Sequence, residues 1–417
     1  MVSSAPPHST RGATPRTTES RPNSGTWPIS TSAPPRAASV ALALLAAAAP
    51  WGAGGTLSAQ RYWRGSFYPN LSHSTGDGLW IGLHYGRYSP VGFAERPEPN
   101  YASINLDAGA STQGSYAFVV DAQAPAWWPG WRAGLAFGAV RVNRLGYYGL
   151  GNDTEYSRDS LTTAGSYFYK VSRTTQFARA GVQRRVIGPL RVLAGASIEH
   201  TDFRALPGRS VFGSDLAAGV VDPGTIPFTD KVVRAGVVLD TRDNEIDPHR
   251  GVAAEALFAS GTRYTRTTAS ARLYVHPLQR LVLAGRIGAE GTGGNPPLAA
   301  LELMESSARP FVAVGGYYSL RAYYNGRFTG PGKLIGGLEA RYALISVPSV
   351  VEVKLVGFYD AGRVFERGEA VRLTTTGLHG SGGAELALRL LRNSLLCMGY
   401  GHGSDGGRFL FGTSWSY

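Results

Sequence analysis

Residues 351–360 read VEVKLVGFYD, and this stretch decides the fold class because its side chains alternate in character. Successive side chains of a β-strand point to opposite faces. The apolar face would be formed by Val351, Val353, Leu355 and Tyr359. The charged face would be formed by Glu352, Lys354 and Asp360. The pattern therefore predicts a strand that separates two different environments.

The same alternation recurs in residues 270–275, 333–344 and 384–390. A soluble β-sandwich also alternates, with its apolar face in the core and its charged face in solvent. In a membrane barrel the charged face must point inward, because an Arg or Lys on the lipid face costs roughly 2–4 kcal/mol near the midplane. On the barrel interpretation we expect the following charged side chains in the lumen: Glu339, Arg341, Glu352, Lys354, Glu385 and Arg389.

The composition favours a β protein rich in glycine and aromatic residues. The 417 residues include 55 glycines and 11% aromatic residues, but only 17% are charged, against about 25% in soluble domains. Cys397 is the single cysteine, which excludes an intramolecular disulfide and a cysteine-based zinc site. Together with the alternation, this composition favours a β-barrel over a helical enzyme or a coiled coil.

The amino terminus is typical of an exported protein. Residues 1–36 are rich in Ser, Thr, Pro and Arg, which predicts disorder, and an apolar run follows from Ala37 to Ala49. At 1.5 Å per residue that run is too short to cross a ~30 Å hydrocarbon core. A basic flank, a short apolar core and a small residue at Ala59 predict a cleaved signal peptide, with a buried hydrophobic helix as the alternative. We expect a disordered leader plus signal peptide at residues 1–59 and an outer-membrane barrel at residues 60–417.

We predict about sixteen strands, an even number that suits a barrel with both termini in the periplasm. They are residues 78–88, 100–110, 114–122, 131–143, 162–172, 175–186, 190–203, 230–241, 251–263, 265–276, 280–291, 333–346, 350–361, 380–390, 393–402 and 407–417. The long connections 204–229, 292–332 and 362–379 should then face outward. The long connection 144–161 falls on the periplasmic side in this count, so either an early strand is misplaced or that turn is exceptional.

The carboxyl terminus, residues 408–417, reads RFLFGTSWSY. In an extended chain Phe409, Phe411, Trp415 and Tyr417 share one face. Aromatic rings are favoured at the interface between membrane and water. This stretch resembles the terminal-strand assembly signal of bacterial outer-membrane barrels, so we expect these rings in the interfacial girdle.

Three stretches resemble the barrel domain of the Omp85 superfamily, also called the bacterial surface antigen D15 domain. They are DTRDNEIDPHRG at residues 240–251, FVAVGGYYSLRAYYNGRFTGPGKLIGGLEAR at residues 311–341, and VGFYDAGRVF at residues 356–365. In that family an Arg-Gly-aromatic motif lies in the loop before the twelfth strand, and a Gly-x-x-Asp-x-Gly motif lies in a later strand. The matching residues are Arg321, Ala322 and Tyr323 for the first motif and Gly357, Asp360 and Gly362 for the second.

The resemblance implies an all-β transmembrane antiparallel barrel whose loop before strand 12 folds inward. It places Arg321 against the inner wall, and since Asp360 lies on the lumen face by parity, we expect an ion pair between them. The alternative is that Arg321 is a solvated loop residue. Ala322 stands where the family usually has glycine, so a positive φ there would be strained.

The resemblance also implies a function in protein insertion into, or translocation across, the bacterial outer membrane. Relatives that insert proteins usually carry POTRA modules before the barrel. The stretch between Ala59 and the first predicted strand at residue 78 is too short for one such module. We therefore expect a barrel-only member that contacts outer-membrane lipid and lipopolysaccharide, with client outer-membrane proteins or a separate POTRA-bearing subunit as partners. A passive pore or structural barrel that has lost the assembly role remains the alternative.

Other chemistry is poorly supported by the sequence. No Gly-x-Ser-x-Gly motif is present, so we expect no enzymatic activity and no cofactor, although a Ser–His pair on the barrel stays open. The acidic residues Asp240, Asp243, Glu245 and Asp247 lack the spacing of a calcium loop and instead predict a hairpin turn. The scattered histidines predict no metal site. No basic patch interleaved with aromatic residues is present, so nucleic acid is not an expected partner.

Overall fold

The computed structural model describes residues 62–74, 77–91, 97–347, 350–390 and 394–417. The predicted leader at residues 1–59 lies outside this part of the chain. Within the described ranges, no helix has the length and apolar character that a membrane crossing requires.

Sixteen strands form one antiparallel sheet in which each strand pairs with the next along the chain, as predicted for an all-β barrel. The first eleven are β1 Arg64–Ser74, β2 Gly78–Pro90, β3 Asn100–Ser111, β4 Tyr116–Trp128, β5 Trp131–Gly146, β6 Lys170–Ile187, β7 Leu190–Ala205, β8 Phe228–Asp240, β9 Gly251–Ser260, β10 Tyr264–Leu278 and β11 Leu281–Gly294. The last five are β14 Gly332–Val347, β15 Val351–Phe365, β16 His379–Leu390, β17 Ser394–Gly403 and β18 Gly406–Gly412. Among the described residues no ladder joins β1 to β18.

The remaining elements are short and lie in the long connections. A separate two-stranded hairpin consists of β12 Leu303–Met304 and β13 Phe311–Val312. The helices are α1 Asp159–Thr163, α2 Val211–Ala217, a 3-10 helix at Pro223–Thr225 and α3 Leu298–Glu302. All of these elements sit between barrel strands at one end of the sheet, so that end carries most of the irregular chain.

Two errors in the predicted strand list cancel, which explains why the count of sixteen is right. The predicted list lacks strand β1, because Pro69 lies within it and proline cannot donate a hydrogen bond to a ladder. The predicted strands 162–172 and 175–186 are one strand, β6. The chain before β6 forms α1 and then turns at Gly165, whose φ of 104° ends extended structure.

The corrected strand list also removes the conflict over the connection at residues 144–161. Once β1 is counted, the loop between β5 and β6 lies at the same end of the sheet as the long loops after β7, β11 and β15. The short turns, such as the one between β6 and β7, lie at the opposite end. The four longest connections therefore all lie at one end of the sheet.

The two faces of the sheet differ as an outward lipid face and an inward lumen face require. On β14 and β15 the outward side chains Leu338 and Tyr359 are 66% and 56% exposed. The inward side chains of the same strands are buried, with Glu339 and Lys354 each 3% exposed. Apolar groups on the outside and paired charges on the inside are the arrangement expected of a membrane barrel.

Candidate functional site in the barrel lumen

The connection between β11 and β14, residues 295–331, folds into the lumen as an inner loop. Its apolar side chains Met304, Val314, Leu320 and Phe328 are buried, and they pack against barrel residues that include Ile335. Hydrophobic contact thus fixes the inner loop on the wall formed by β14 and β15. A loop in water could not bury these side chains, so the packing itself favours the inward position.

Arg321 of the inner loop forms the centre of an ionic network on that wall. Its guanidinium binds Asp360 with two hydrogen bonds, Nε to Oδ2 at 2.8 Å and Nη2 to Oδ1 at 2.9 Å. The remaining nitrogen, Nη1, donates to Glu339 at 2.7 Å and to Glu385 at 3.2 Å. The group also stacks on Phe358 at 3.8 Å from the ring centre. The ion pair between Arg321 and Asp360 is present, and it is one part of a larger cluster.

A second guanidinium completes the cluster from the barrel side. Arg341 Nε donates to Glu339 at 2.7 Å, and its guanidinium lies 3.8 Å from the ring centre of Trp415. Arg321, Arg341, Glu339 and Glu385 are all almost fully buried. Such groups are stable inside a protein only when they are paired and hydrogen-bonded. The cluster therefore helps to fix the position of the inner loop on the barrel wall.

The two family motifs contribute unequally to this site. Gly362 faces the lumen, where a Cβ would lie 2.8 Å from Leu320 Cδ1, so glycine allows the inner loop to approach the wall. Gly357 is in the outward register of β15, and no atom lies within 4 Å of a Cβ added there. The structure thus brings Asp360 and Gly362 to Arg321 but leaves Gly357 apart.

The other two residues of the first motif pack closely without strain. Tyr323 donates its hydroxyl to the carbonyl of Gly380 at 3.1 Å. Ala322 is fully buried and packs against Gly401. Glycine is needed at position 401 for this close contact, because a Cβ added there would lie only 3.3 Å from the Cβ of Ala322. Among the described non-glycine residues the only positive φ is 47° at Val314. The strain considered for Ala322 is therefore absent.

Further ion pairs that the sequence did not predict fasten the inner loop to other strands. Glu302 binds Arg173 of β6 at 2.5 Å, and Glu305 binds Arg234 of β8 at 2.6 Å. Sequence parity could place the two arginines on the lumen face. Nothing in the sequence could show which carboxylates of a long loop would meet them.

The turn between β8 and β9, residues 241–250, contacts lumen-facing side chains from the opposite end of the sheet. Asp243 and Asn244 accept hydrogen bonds from backbone N–H groups within the turn, as expected of a hairpin turn rather than a calcium loop. Asp247 is 1% exposed and accepts from Lys354 Nζ at 2.8 and 2.9 Å. Burial opposes its ionisation, but Lys354 and neighbouring groups outweigh burial and hold the pKa of Asp247 below its ordinary value.

The carboxyl terminus departs from the prediction. Strand β18 ends at Gly412, and the last five residues turn into the lumen as an inner tail, residues 413–417. Phe409 and Phe411 keep the outward register of β18, but Trp415 and Tyr417 are only 5% and 6% exposed. Trp415 Nε1 donates to Asp247 at 3.0 Å. The prediction that both rings lie in the interfacial girdle is wrong, because indole and phenol groups here find buried polar partners in the lumen.

The remaining lumen charges connect the inner tail, the turn and the wall. Arg389 binds Glu352 at 3.0 Å and Asp247 at 3.1 Å. Lys354 also lies 3.2 Å from Glu352. Glu352, Lys354 and Arg389 therefore all lie on the lumen face, where they form one cluster around Asp247. Asp247, His249 and Glu352 could offer ligand atoms to a metal ion. However, the ammonium group of Lys354 already binds Asp247 and supplies the positive charge that a metal ion would bring.

Comparison with known proteins gives a family model and a set of similar folds. The model described as the Omp85 superfamily domain matches residues 99–403. The structure resembles BamA from Haemophilus ducreyi lacking POTRA domains 1–3, with a TM-score of 0.51 and 15% identity over 83% of this chain and 69% of that one. It also resembles CdiB from Escherichia coli, with a TM-score of 0.53 and 10% identity over 85% of this chain and 63% of that one. A comparison with curated proteins found no match. At these identities the two structures show a shared fold, and this chain spans about two thirds of their lengths.

Proposed function

Because the chain belongs to the Omp85 superfamily, we propose that it inserts proteins into the bacterial outer membrane or translocates them across it. The observation that carries the proposal is the attachment of the inner loop to the barrel wall through Arg321. This attachment joins β14, β15 and β16 to a segment that is not part of the sheet. Loss of this attachment would therefore affect these three strands and the inner loop together.

The rival function is a passive pore, which needs a continuous aqueous lumen. Three segments enter this lumen: the inner loop, the turn at residues 241–250 and the inner tail. Their buried ion pairs are costly to form and are lost together if the segments leave. Such a filled interior supports a role other than steady conduction.

The proposed partners follow from the outer face and from the family. The apolar outward side chains are suited to contact outer-membrane lipid and lipopolysaccharide. Client outer-membrane proteins, or a separate subunit that bears POTRA modules, would bind from the periplasmic end.

A depletion experiment tests the proposed function. We expect depletion to lower the amounts of a defined set of outer-membrane or surface proteins in quantitative proteomics of the outer membrane. The purified full chain in planar lipid bilayers should show no large steady conductance. An unchanged outer-membrane proteome together with large, salt-dependent conductance would establish the passive pore instead.

We further propose that residues 1–59 are a leader removed during export. The basic flank, the apolar run from Ala37 to Ala49 and the small residue Ala59 support this. Amino-terminal sequencing of the protein isolated from membranes should begin at Gln60. A sequence that begins well before Gln60 would contradict the cleavage site.

A further inference from the structure

Strands β1, β2 and β3 bring three chemically complementary side chains together on the lumen face. Ser66 Oγ lies 3.4 Å from His84 Nε2, and His84 Nδ1 lies 2.7 Å from Asp107 Oδ1. The ladder register explains the arrangement, because Tyr68 pairs with His84 and His84 pairs with Asp107 across the two strand boundaries. A hydroxyl, an imidazole and a carboxylate in this order form a nucleophile, a base and a group that orients the base.

Glycine at position 86 lets three polar side chains converge, because no side chain stands between them. Gly86 pairs with Ser66, and a Cβ at position 86 would lie 2.5 Å from Ser66 Oγ and 2.9 Å from His84 Nε2. The same point is 3.0 Å from the side-chain amide oxygen of Asn105, and rotation of that amide would present its N–H group there. A carbonyl carbon that approaches Ser66 Oγ from the lumen would therefore meet a nucleophile, a base and a hydrogen-bond donor.

The surroundings hold the base in position and leave it accessible. The ring of Tyr68 stacks on His84 with centroids 4.5 Å apart, which limits rotation of the imidazole. The side chains of His84 and Asp107 are 15% and 43% exposed. The hydrogen bonds that Ser66, His84 and Asp107 make with side chains join them to one another rather than to the inner loop. The site therefore lies on an accessible part of the lumen wall.

We propose that Ser66, His84 and Asp107 form a catalytic triad that hydrolyses carboxylic esters entering the lumen. Ser66 Oγ attacks the carbonyl carbon and His84 Nε2 accepts its proton, giving a tetrahedral intermediate whose oxyanion Asn105 can bind. The carbon–oxygen bond to the alcohol then breaks as His84 returns the proton to the leaving alcohol. Water attacks the acyl-serine, His84 takes a proton from that water and then gives it to Ser66, and the acid leaves. Asp107 accepts the hydrogen bond from His84 Nδ1, which orients the imidazole and stabilises it when it carries the proton.

Labelling of the full chain, purified and folded in detergent, with a fluorophosphonate probe tests the proposal. The expected result is covalent attachment to Ser66, identified by mass spectrometry, and slow hydrolysis of p-nitrophenyl esters. Ser66→Ala should abolish both signals, and His84→Ala should lower both rates by at least about 100-fold. Gly86→Ala should also suppress them, because its methyl group would lie 2.5 Å from Ser66 Oγ and 2.9 Å from His84 Nε2 and would push the nucleophile away from the base.

Ser72→Ala is the matched control, since Ser72 lies on the same face of β1 outside the triad. It should leave labelling and hydrolysis unchanged, and the heat-modifiable migration of each variant on gels should confirm a folded barrel. Hydrolysis of the acetate ester would indicate a water-soluble substrate, and hydrolysis of the dodecanoate ester would indicate a lipid. No labelling of the folded wild-type chain, or equal labelling of Ser66→Ala, would overturn the proposal.

Discussion

Arg321→Ala is expected to lower the free energy of unfolding by about 3–5 kcal/mol, the usual cost of removing one partner from a buried ionic network. Arg321 is 1% exposed and Asp360 is fully buried, so water cannot replace the lost guanidinium without opening the site. Asp360, Glu339 and Glu385 would then remain close together without their shared cation. The measurement is the midpoint of denaturant unfolding in detergent, together with the temperature at which the folded gel band disappears.

The same variant should release the inner loop, since the four hydrogen bonds of the guanidinium to carboxylates are lost at once. We expect larger conductance of Arg321→Ala in planar bilayers than of the wild-type chain. Arg309→Ala is the matched control, because Arg309 lies in the same loop with an exposed side chain. Equal unfolding midpoints for Arg321→Ala and Arg309→Ala would show that the network does not fix the loop.

Glu385→Gln provides a contrast within the same cluster. Three carboxylates, on Asp360, Glu339 and Glu385, face the two guanidinium groups of Arg321 and Arg341. In the described part of the chain Glu385 Oε1 has no hydrogen-bond partner. Removing this one negative charge should therefore change the free energy of unfolding by no more than about 1 kcal/mol. A loss as large as that of Arg321→Ala would contradict this account of the charge balance.

The prediction of strands β14 and β15 from the sequence is accurate for a physical reason. Strands β14 and β15 separate lipid from lumen, so every second residue reports its face, and the predicted bounds 333–346 and 350–361 lie close to those observed. Parity placed Glu339, Glu385 and Asp360 on the lumen face. It could not show that all three meet Arg321, because alternation gives the face of a residue but not its height or its neighbours on other strands.

The failures arise where alternation carries no information. Pro69 makes the sequence of β1 unlike that of a strand, and Ser66 lies in the same strand. The contact of Ser66 with His84, and so the cluster with Asp107, could therefore not be predicted. At the other end of the chain the aromatic alternation continues past Gly412, although the strand does not. The ring of Tyr317, in the inner loop, occupies the place to which a side chain at position 412 would point. A Cβ added to Gly412 would lie only 2.3 Å from that ring. A contact between residues so distant in sequence has no local signal.

The inner tail provides the second large effect, through Asp247. Asp247 accepts hydrogen bonds from Lys354 of β15 and Trp415 of the tail, and it lies 3.1 Å from Arg389 of β16. Asp247→Asn keeps the shape and one acceptor oxygen but removes the charge that balances two cations. Lys354, which is 3% exposed, would retain Glu352 as its carboxylate partner. We expect a loss of about 3 kcal/mol in the free energy of unfolding, at the lower end of the range for a broken buried pair.

This loss should appear first at the carboxyl terminus, because the hydrogen bond from Trp415 and the ionic cluster beneath it both depend on the Asp247 carboxylate. Carboxypeptidase digestion followed by mass spectrometry measures the effect: the wild-type tail should be resistant, and Asp247→Asn should lose Tyr417 and Ser416 rapidly. Asp243→Asn is the matched control, since Asp243 lies in the same turn with a side chain 44% exposed and its substitute keeps an acceptor for the backbone. If the tail of Asp247→Asn stays as resistant as that of Asp243→Asn, packing of Trp415 and Tyr417 alone holds the tail in the lumen.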